Sequence, residues 1–218
     1  VELKNFGGRR RSTRKRVRGF LLIAGIFWGL GVCAGMGWLA RYSLTAAPPG
    51  EPSHLWAGSL SSGKHSTLVM SIHAYCPCSA ASLEELSRVL AKTGDRLSVH
   101  ILFYEPSIEP GWQQTSLWKK ASSLPGVDLV NDPDLKKIRQ FGLATSGETA
   151  LYDSNGKLVF HGGITRARGH VGDNEGATNV VDFVNTGHLA RLSTPVFGCS
   201  LLSYKDAPPP MDRSARIQ

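Results

Sequence analysis

The sequence predicts an α/β protein, a small sandwich built on a mixed sheet and preceded by one transmembrane helix. Three features carry this expectation. A basic tail is followed by twenty-two residues without a charge, Gly19 to Ala40. From Thr67 to Asn131 strand-like and helix-like patterns alternate, and the order then closes in a hairpin around Asn155-Gly156.

The tail comes first. "RRRSTRKRVR" places seven positive charges between Arg9 and Arg18, and with Lys4 and Glu2 the first eighteen residues carry +7 of the whole chain's +8. A nucleic-acid-binding domain would spread its basic residues over a folded face, so no nucleic-acid partner is expected. Residues 1–18 are read as a basic cytoplasmic tail and residues 19–40 as an uncleaved membrane span, which as a helix covers roughly 33 Å. The Lys/Arg bias predicts a single-pass protein of the inner (cytoplasmic) membrane, N-terminus cytoplasmic and main domain periplasmic or extracellular. Gly25, Gly29, Gly31, Gly35 and Gly37 give small-residue spacings suited to a partner helix.

Residues 41–65, rich in Pro, Gly and Ser, read as a flexible linker. The domain is expected over 66–190, with 191–218 as a C-terminal extension. "TLVMSIHAY" from Thr67 is apolar without clean alternation, as in a central strand covered on both faces. After Ser79, Leu83, Leu86, Val89 and Leu90 recur at helical spacing, with Glu84, Glu85, Arg88 and Lys92 on the remaining surface and Gly94 as the stop.

"LSVHILFY", Leu97 to Tyr104, is a second strand, followed by a loop and a short helix around Thr115 to Ser122. "GVDLVND" supplies a third strand ending at Asn131. "DPDLKKIRQFGL" predicts a helix capped by Asp132, with Pro133 in its first position and Gly142 near its end. Thr149 to Tyr152 and Lys157 to His161 form the hairpin, and a last helix is expected from about Thr178 to Leu189. "GLATSG" lacks the ending of a phosphate-binding loop.

The chemistry centres on "SIHAYCPCSAAS". With Cys76 as the helix cap, Pro77 takes the first helical position and Cys78 falls in the first turn, where free amides and the helix dipole favour a thiolate. A disulfide across a single residue closes a small, strained ring that is easily reduced, which suits exchange better than stapling. Cys33 lies in the span and reads as a small apolar residue. The other three cysteines lie on the oxidising side, an odd number that leaves one unpaired or exchanging, and Cys199 is a third redox thiol, a soft ligand or a buried residue. "GGITRARGHVGDNEG" gathers Arg166, Arg168 and His170 in a loop read either as a solvated connection or as a contact near the active face.

"TLVMSIHAYCPCSAASLEEL" together with "ETALYDSNGKLVFHGG" resembles the thioredoxin-like superfamily, in particular its membrane-anchored extracytoplasmic members, here with an atypical Cys-Pro-Cys motif. The resemblance spans roughly Ser66 to Leu189. It implies catalytic roles for Cys76 as the attacking thiol and Cys78 as the resolving one, protein thiols or disulfides as partners, and no organic cofactor. The family has two residues between its cysteines and a cis-proline opposite them, where this chain has only Pro77 and, by alignment on Thr149 and Asp153, Gly147.

The expected function is therefore a membrane-tethered thiol-disulfide oxidoreductase or redox-partner protein acting on extracytoplasmic protein thiols. One alternative is a copper or zinc handling protein, with His73, Cys76, Cys78, His170 and Cys199 as candidate ligands and His161 as a more distant one. Another is a non-catalytic subunit of a membrane protein complex that uses the glycine-patterned span as a contact.

Overall fold

The structure, a computed structural model, describes residues 7–56, 65–104, 113 and 115–202, with side chains described from residue 17. The expected loop at 105–114, the middle of the linker at 57–64 and the terminus beyond residue 202 lie almost entirely outside these residues. The chain forms two compact units, residues 1–43 and 44–218.

The first unit is helix α1, Gly7–Leu44. Within it Val17–Leu44, at mean hydropathy 2.0, is long and apolar enough to cross a membrane. Its large side chains, from Phe20 to Trp38, are exposed, as are Cys33 and the added-Cβ positions of its glycines. Trp38 and Tyr42 stack one helical turn apart at 6.4 Å.

The second unit holds one six-stranded mixed sheet in the order β3-β2-β1-β4-β5-β6. Its strands are β1 (Ser66–His73), β2 (Leu97–Tyr104), β3 (Val127–Asn131), β4 (Glu148–Tyr152), β5 (Leu158–Gly163) and β6 (Ser193–Thr194). The first three run parallel, because α2 (Pro77–Thr93) and α3 (Ser116–Ser122) carry the chain back between them. β4 lies antiparallel to β1, β5 returns through the Asn155-Gly156 turn, and β6 adds in parallel beyond β5.

Alternation along the central strand divides two cores. Leu68, Met70 and Ile72 face Leu83, Leu86, Val89 and Leu90 of α2, together with Val180 of α5 (Glu175–Thr186). Each of these large side chains, fully removed from water, contributes about 1.5–3 kcal/mol. Val69 and Leu102 face the opposite layer, made of Ile138, Phe141, Leu143, Tyr152, Leu201 and Leu202.

Several local expectations change. The helix expected after Asp132 is only α4, Lys136–Gln140, and Pro133 lies before it. Leu135 takes a left-handed conformation (φ 56°) that seats its side chain in the core, and the buried Asp132 carboxylate accepts from the Ile138 amide at 2.8 Å. The last helix starts earlier, at Glu175, because Asn174 caps it by accepting from the Ala177 amide at 2.7 Å. Glu85 is buried rather than on the surface. Its carboxylate accepts from the Gly172 amide at 2.7 Å and the Asn174 side chain at 3.2 Å, tying the loop before α5 to α2.

Residues 47–56 of the expected linker lie along the domain. Ala47 pairs with Val196, the Gly50 amide donates to Glu148 at 2.7 Å, and Trp56 packs edge-on against Phe141 and Tyr152. The Glu148 carboxyl is raised above its usual range by burial, although the amides of Ala144, Gly50 and Thr145 all donate to it.

Candidate functional site: three thiols at the head of helix α2

Chain reversal at residues 74–76 turns β1 into α2. The Ala74 amide donates to Tyr104 and the Cys76 amide to His73. Cys76 is the N-cap in extended conformation (φ −81°, ψ 114°), with Pro77 in the first helical position and Cys78 behind it. Cys76 is buried at 2% exposure, whereas Cys78 is half-buried.

Cys199 completes the group. Its Sγ lies 2.9 Å from Cys76 Sγ, across 123 residues of sequence. Burial works to raise the Cys76 thiol, but the Cys199 thiol, the Ser79 side chain and the peptide groups of Cys199 and Cys78 outweigh it and hold Cys76 below the ordinary thiol value. Burial, reinforced by the charge of Cys76, pushes Cys78 up, with Arg168 opposing. Burial, the hydrogen bond to Cys76 and the neighbouring sulfur charges push Cys199 up to about 12. The cluster thus has one thiolate-favouring sulfur and two that keep their protons.

Around it is a polar frame. Ser146 Oγ accepts from the His73 amide at 2.8 Å and shares a hydrogen bond with Ser79 Oγ at 2.7 Å, while the Ser146 amide donates to the Cys199 carbonyl at 2.8 Å. One serine therefore links the end of β1, the start of α2 and the Cys199 segment. Arg168 donates to the Gly198 carbonyl and also bears electrostatically on Cys78 and Cys199, placing the glycine-rich loop at the site.

Gly147, expected opposite the cysteines, has φ 85°, and no cis peptide bond occurs among the described residues. Its amide donates to Ser71 at 2.7 Å, which a proline could not do, and an added Cβ would lie 2.6 Å from Ser82 Oγ.

Of the candidate metal ligands the three cysteines come together, but the histidines form no ligand group with them. Among the described residues no group of three or more His, Cys, Asp or Glu is arranged to hold a metal ion. His73 Nδ1 accepts from the Tyr75 amide at 3.1 Å, and its ring meets Tyr75 and Tyr104 edge-on. Burial lowers its pKa and favours the neutral form. His170 is exposed in the loop, and His161 lies in β5 opposite Ala150.

Ser146, Ser79 and Gly198 have no counterpart among the sequence-based candidates. The available signal was the short polar "TSG" directly before a buried strand, read above only as a failed phosphate loop.

No family model matches the chain, and no curated protein matches it in sequence. Solved structures do match. A conserved protein from Geobacillus kaustophilus, described as uncharacterized, superposes at TM-score 0.53 with 18% identity, covering 78% of this chain and 94% of its own. A hypothetical protein from Sinorhizobium meliloti does so at 0.52 with 21% identity, over 72% and 94%. An exposed lipoprotein thioredoxin from Streptococcus pneumoniae matches at 0.41 with 18% identity, over 56% and 84%. In this chain a parallel β1–α2–β2 crossover shares its sheet with the antiparallel β4–β5 hairpin, and the cysteines stand where β1 turns into α2.

The fold is thioredoxin-like. The pair Cys76 and Cys78 stands at the turn from β1 into α2, and Cys199 reaches the same point from beyond the last helix.

Proposed function

We propose that this protein carries out thiol-disulfide exchange with protein thiols outside the cytoplasm, held at the membrane by α1. The observation that carries this reading is Cys76 Sγ, favoured as a thiolate at the head of a seventeen-residue helix and 2.9 Å from a second sulfur. Cys76 is the attacking group, and one of its neighbours, Cys78 or Cys199, completes the exchange. The reaction needs a dithiol or disulfide partner and no organic cofactor. The seven basic residues from Arg9 to Arg18, just before the span, support a cytoplasmic N-terminus and an extracytoplasmic body, where disulfides persist.

The test is exchange between the detergent-solubilised full chain and a disulfide-bonded model protein. Cys76→Ser is expected to lower the rate by about 100-fold or more, since the nucleophilic sulfur is lost. An unchanged rate would overturn the reading.

A further inference from the structure

We propose that Cys199 is the resolving thiol of this site, displacing a bound partner from Cys76 and closing an internal Cys76–Cys199 disulfide. This deepens the exchange reading and rests on it.

The approach of the two sulfurs is built by backbone rather than by one adaptable side chain. Residues 196–201 run alongside residues 144–146. Ser146 donates to the Cys199 carbonyl at 2.8 Å, Thr145 pairs with Ser200, and Leu201 donates to the Ala144 carbonyl at 2.8 Å. Upstream, Val196 accepts from the Ala47 amide at 2.8 Å, and Arg168 grips the Gly198 carbonyl. Leu201 and Leu202 are buried in the second core, anchoring the far side. Gly198 is required by the fit, because an added Cβ would lie 1.8 Å from the Ser146 carbonyl oxygen. Cys199 is thus fixed on both sides and directed at Cys76.

Cys78 is less well placed to close a bridge. Only Pro77 separates it from Cys76, and the proline ring fixes the intervening φ, so a Cys76–Cys78 disulfide must meet its geometry within a very small ring.

The cycle balances as follows. The Cys76 thiolate attacks a partner disulfide R–S–S–R′, forming Cys76–S–S–R and releasing R′–S⁻. The Cys199 thiol gives its proton to R′–S⁻ and attacks Cys76 Sγ. The Cys76–Cys199 bond forms, the Cys76–S–R bond breaks, and R–S⁻ leaves. The partner has gained two electrons and the protein has lost two. A protein dithiol attacking Cys76 of the closed bridge runs the same steps backwards and restores both thiols.

The experiment maps disulfides by non-reducing peptide mass spectrometry in the full chain after equilibration with oxidised dithiothreitol and acid trapping. Wild type and Cys78→Ser are both expected to give the Cys76–Cys199 linkage. With a disulfide-bonded model protein, Cys199→Ser is expected to accumulate a mixed disulfide at Cys76 and lose turnover by at least about tenfold, whereas Cys78→Ser is expected to accumulate none. A dominant Cys76–Cys78 linkage in wild type, or trapping in Cys78→Ser but not in Cys199→Ser, overturns the proposal. The wild-type linkage needs no variant to fold. A wild type that forms Cys76–Cys199 but exchanges with no protein disulfide overturns the exchange reading and leaves the pairing. One that exchanges through Cys76–Cys78 does the reverse.

Discussion

Cys76 and Cys199 meet within 2.9 Å, yet the segments that bring them there are held by different physics. Cys76 stands on regular structure, the end of a strand buried from Thr67 to Ile72 and the cap of a helix whose apolar stripe is packed over that strand. Cys199 arrives on residues 193–202, which form a two-residue strand and then run irregularly, held by backbone contacts to residues 144–146 and 47. The first segment is specified by side-chain periodicity, and the second by which backbones happen to lie beside it. Only the first kind of specification is written locally.

Oxidising the protein tests the contrast most strongly. In the chain-entropy description a bridge across the 123-residue separation of Cys76 and Cys199 stabilises by about 5 kcal/mol, and a Cys76–Cys78 bridge by about 1.5 kcal/mol before any strain. At roughly 2–4 °C per kcal/mol, the oxidised form is expected to melt on the order of 10 °C or more above the reduced form, measured by circular dichroism. A difference near zero would mean that the irregular segment does not supply the bridging sulfur.

A smaller effect isolates the fit of that segment. Gly198→Ala forces a methyl group onto the Ser146 carbonyl and is expected to destabilise by about 1–3 kcal/mol. It should also slow formation of the internal bridge, as Cys199→Ser abolishes it, without touching any sulfur. Bridge formation at the wild-type rate would show that the contacts of residues 196–201 do not govern the approach.

The smallest effect is electrostatic. In the reduced protein, alkylation of Cys76 is expected to rise with pH through a midpoint below the ordinary thiol value, while Cys199 stays protonated until about 12. Removing the Cys199 hydrogen bond by Cys199→Ala should move the Cys76 midpoint upward, because that bond favours the charged form. An unmoved midpoint would assign the thiolate to the Ser79 side chain and the neighbouring peptide groups instead.

The same contrast explains what could be read from the chain. β1, α2, the Asn155-Gly156 hairpin and the Cys76-Pro77-Cys78 cap were legible because each carries its period or turn chemistry within a few residues. Asp132 was expected to cap the helix after it, but the cap is Leu135, whose left-handed turn answers to a core assembled from distant strands. Glu85 fell on the polar side of a helical stripe, and nothing nearby in sequence announces the Gly172 amide that buries it. Ser146 and Gly198 matter through partners distant in sequence, so neither has a local signature.

The pairing of Ala47 with Val196 bears on how this protein can be prepared. A soluble fragment begun at Ser66, where the regular structure starts, would lack the Ala47 amide that holds Val196 and the Pro48 carbonyl that receives Thr145 Oγ1. It would also leave the Glu148 carboxylate without the Gly50 amide. Such a fragment keeps every strand of the sheet and all three thiols, but loosens the neighbours of Cys199 and reports a weakened site as the native one. The smallest faithful excision begins ahead of Ala47, close to the point where the chain leaves its apolar helix.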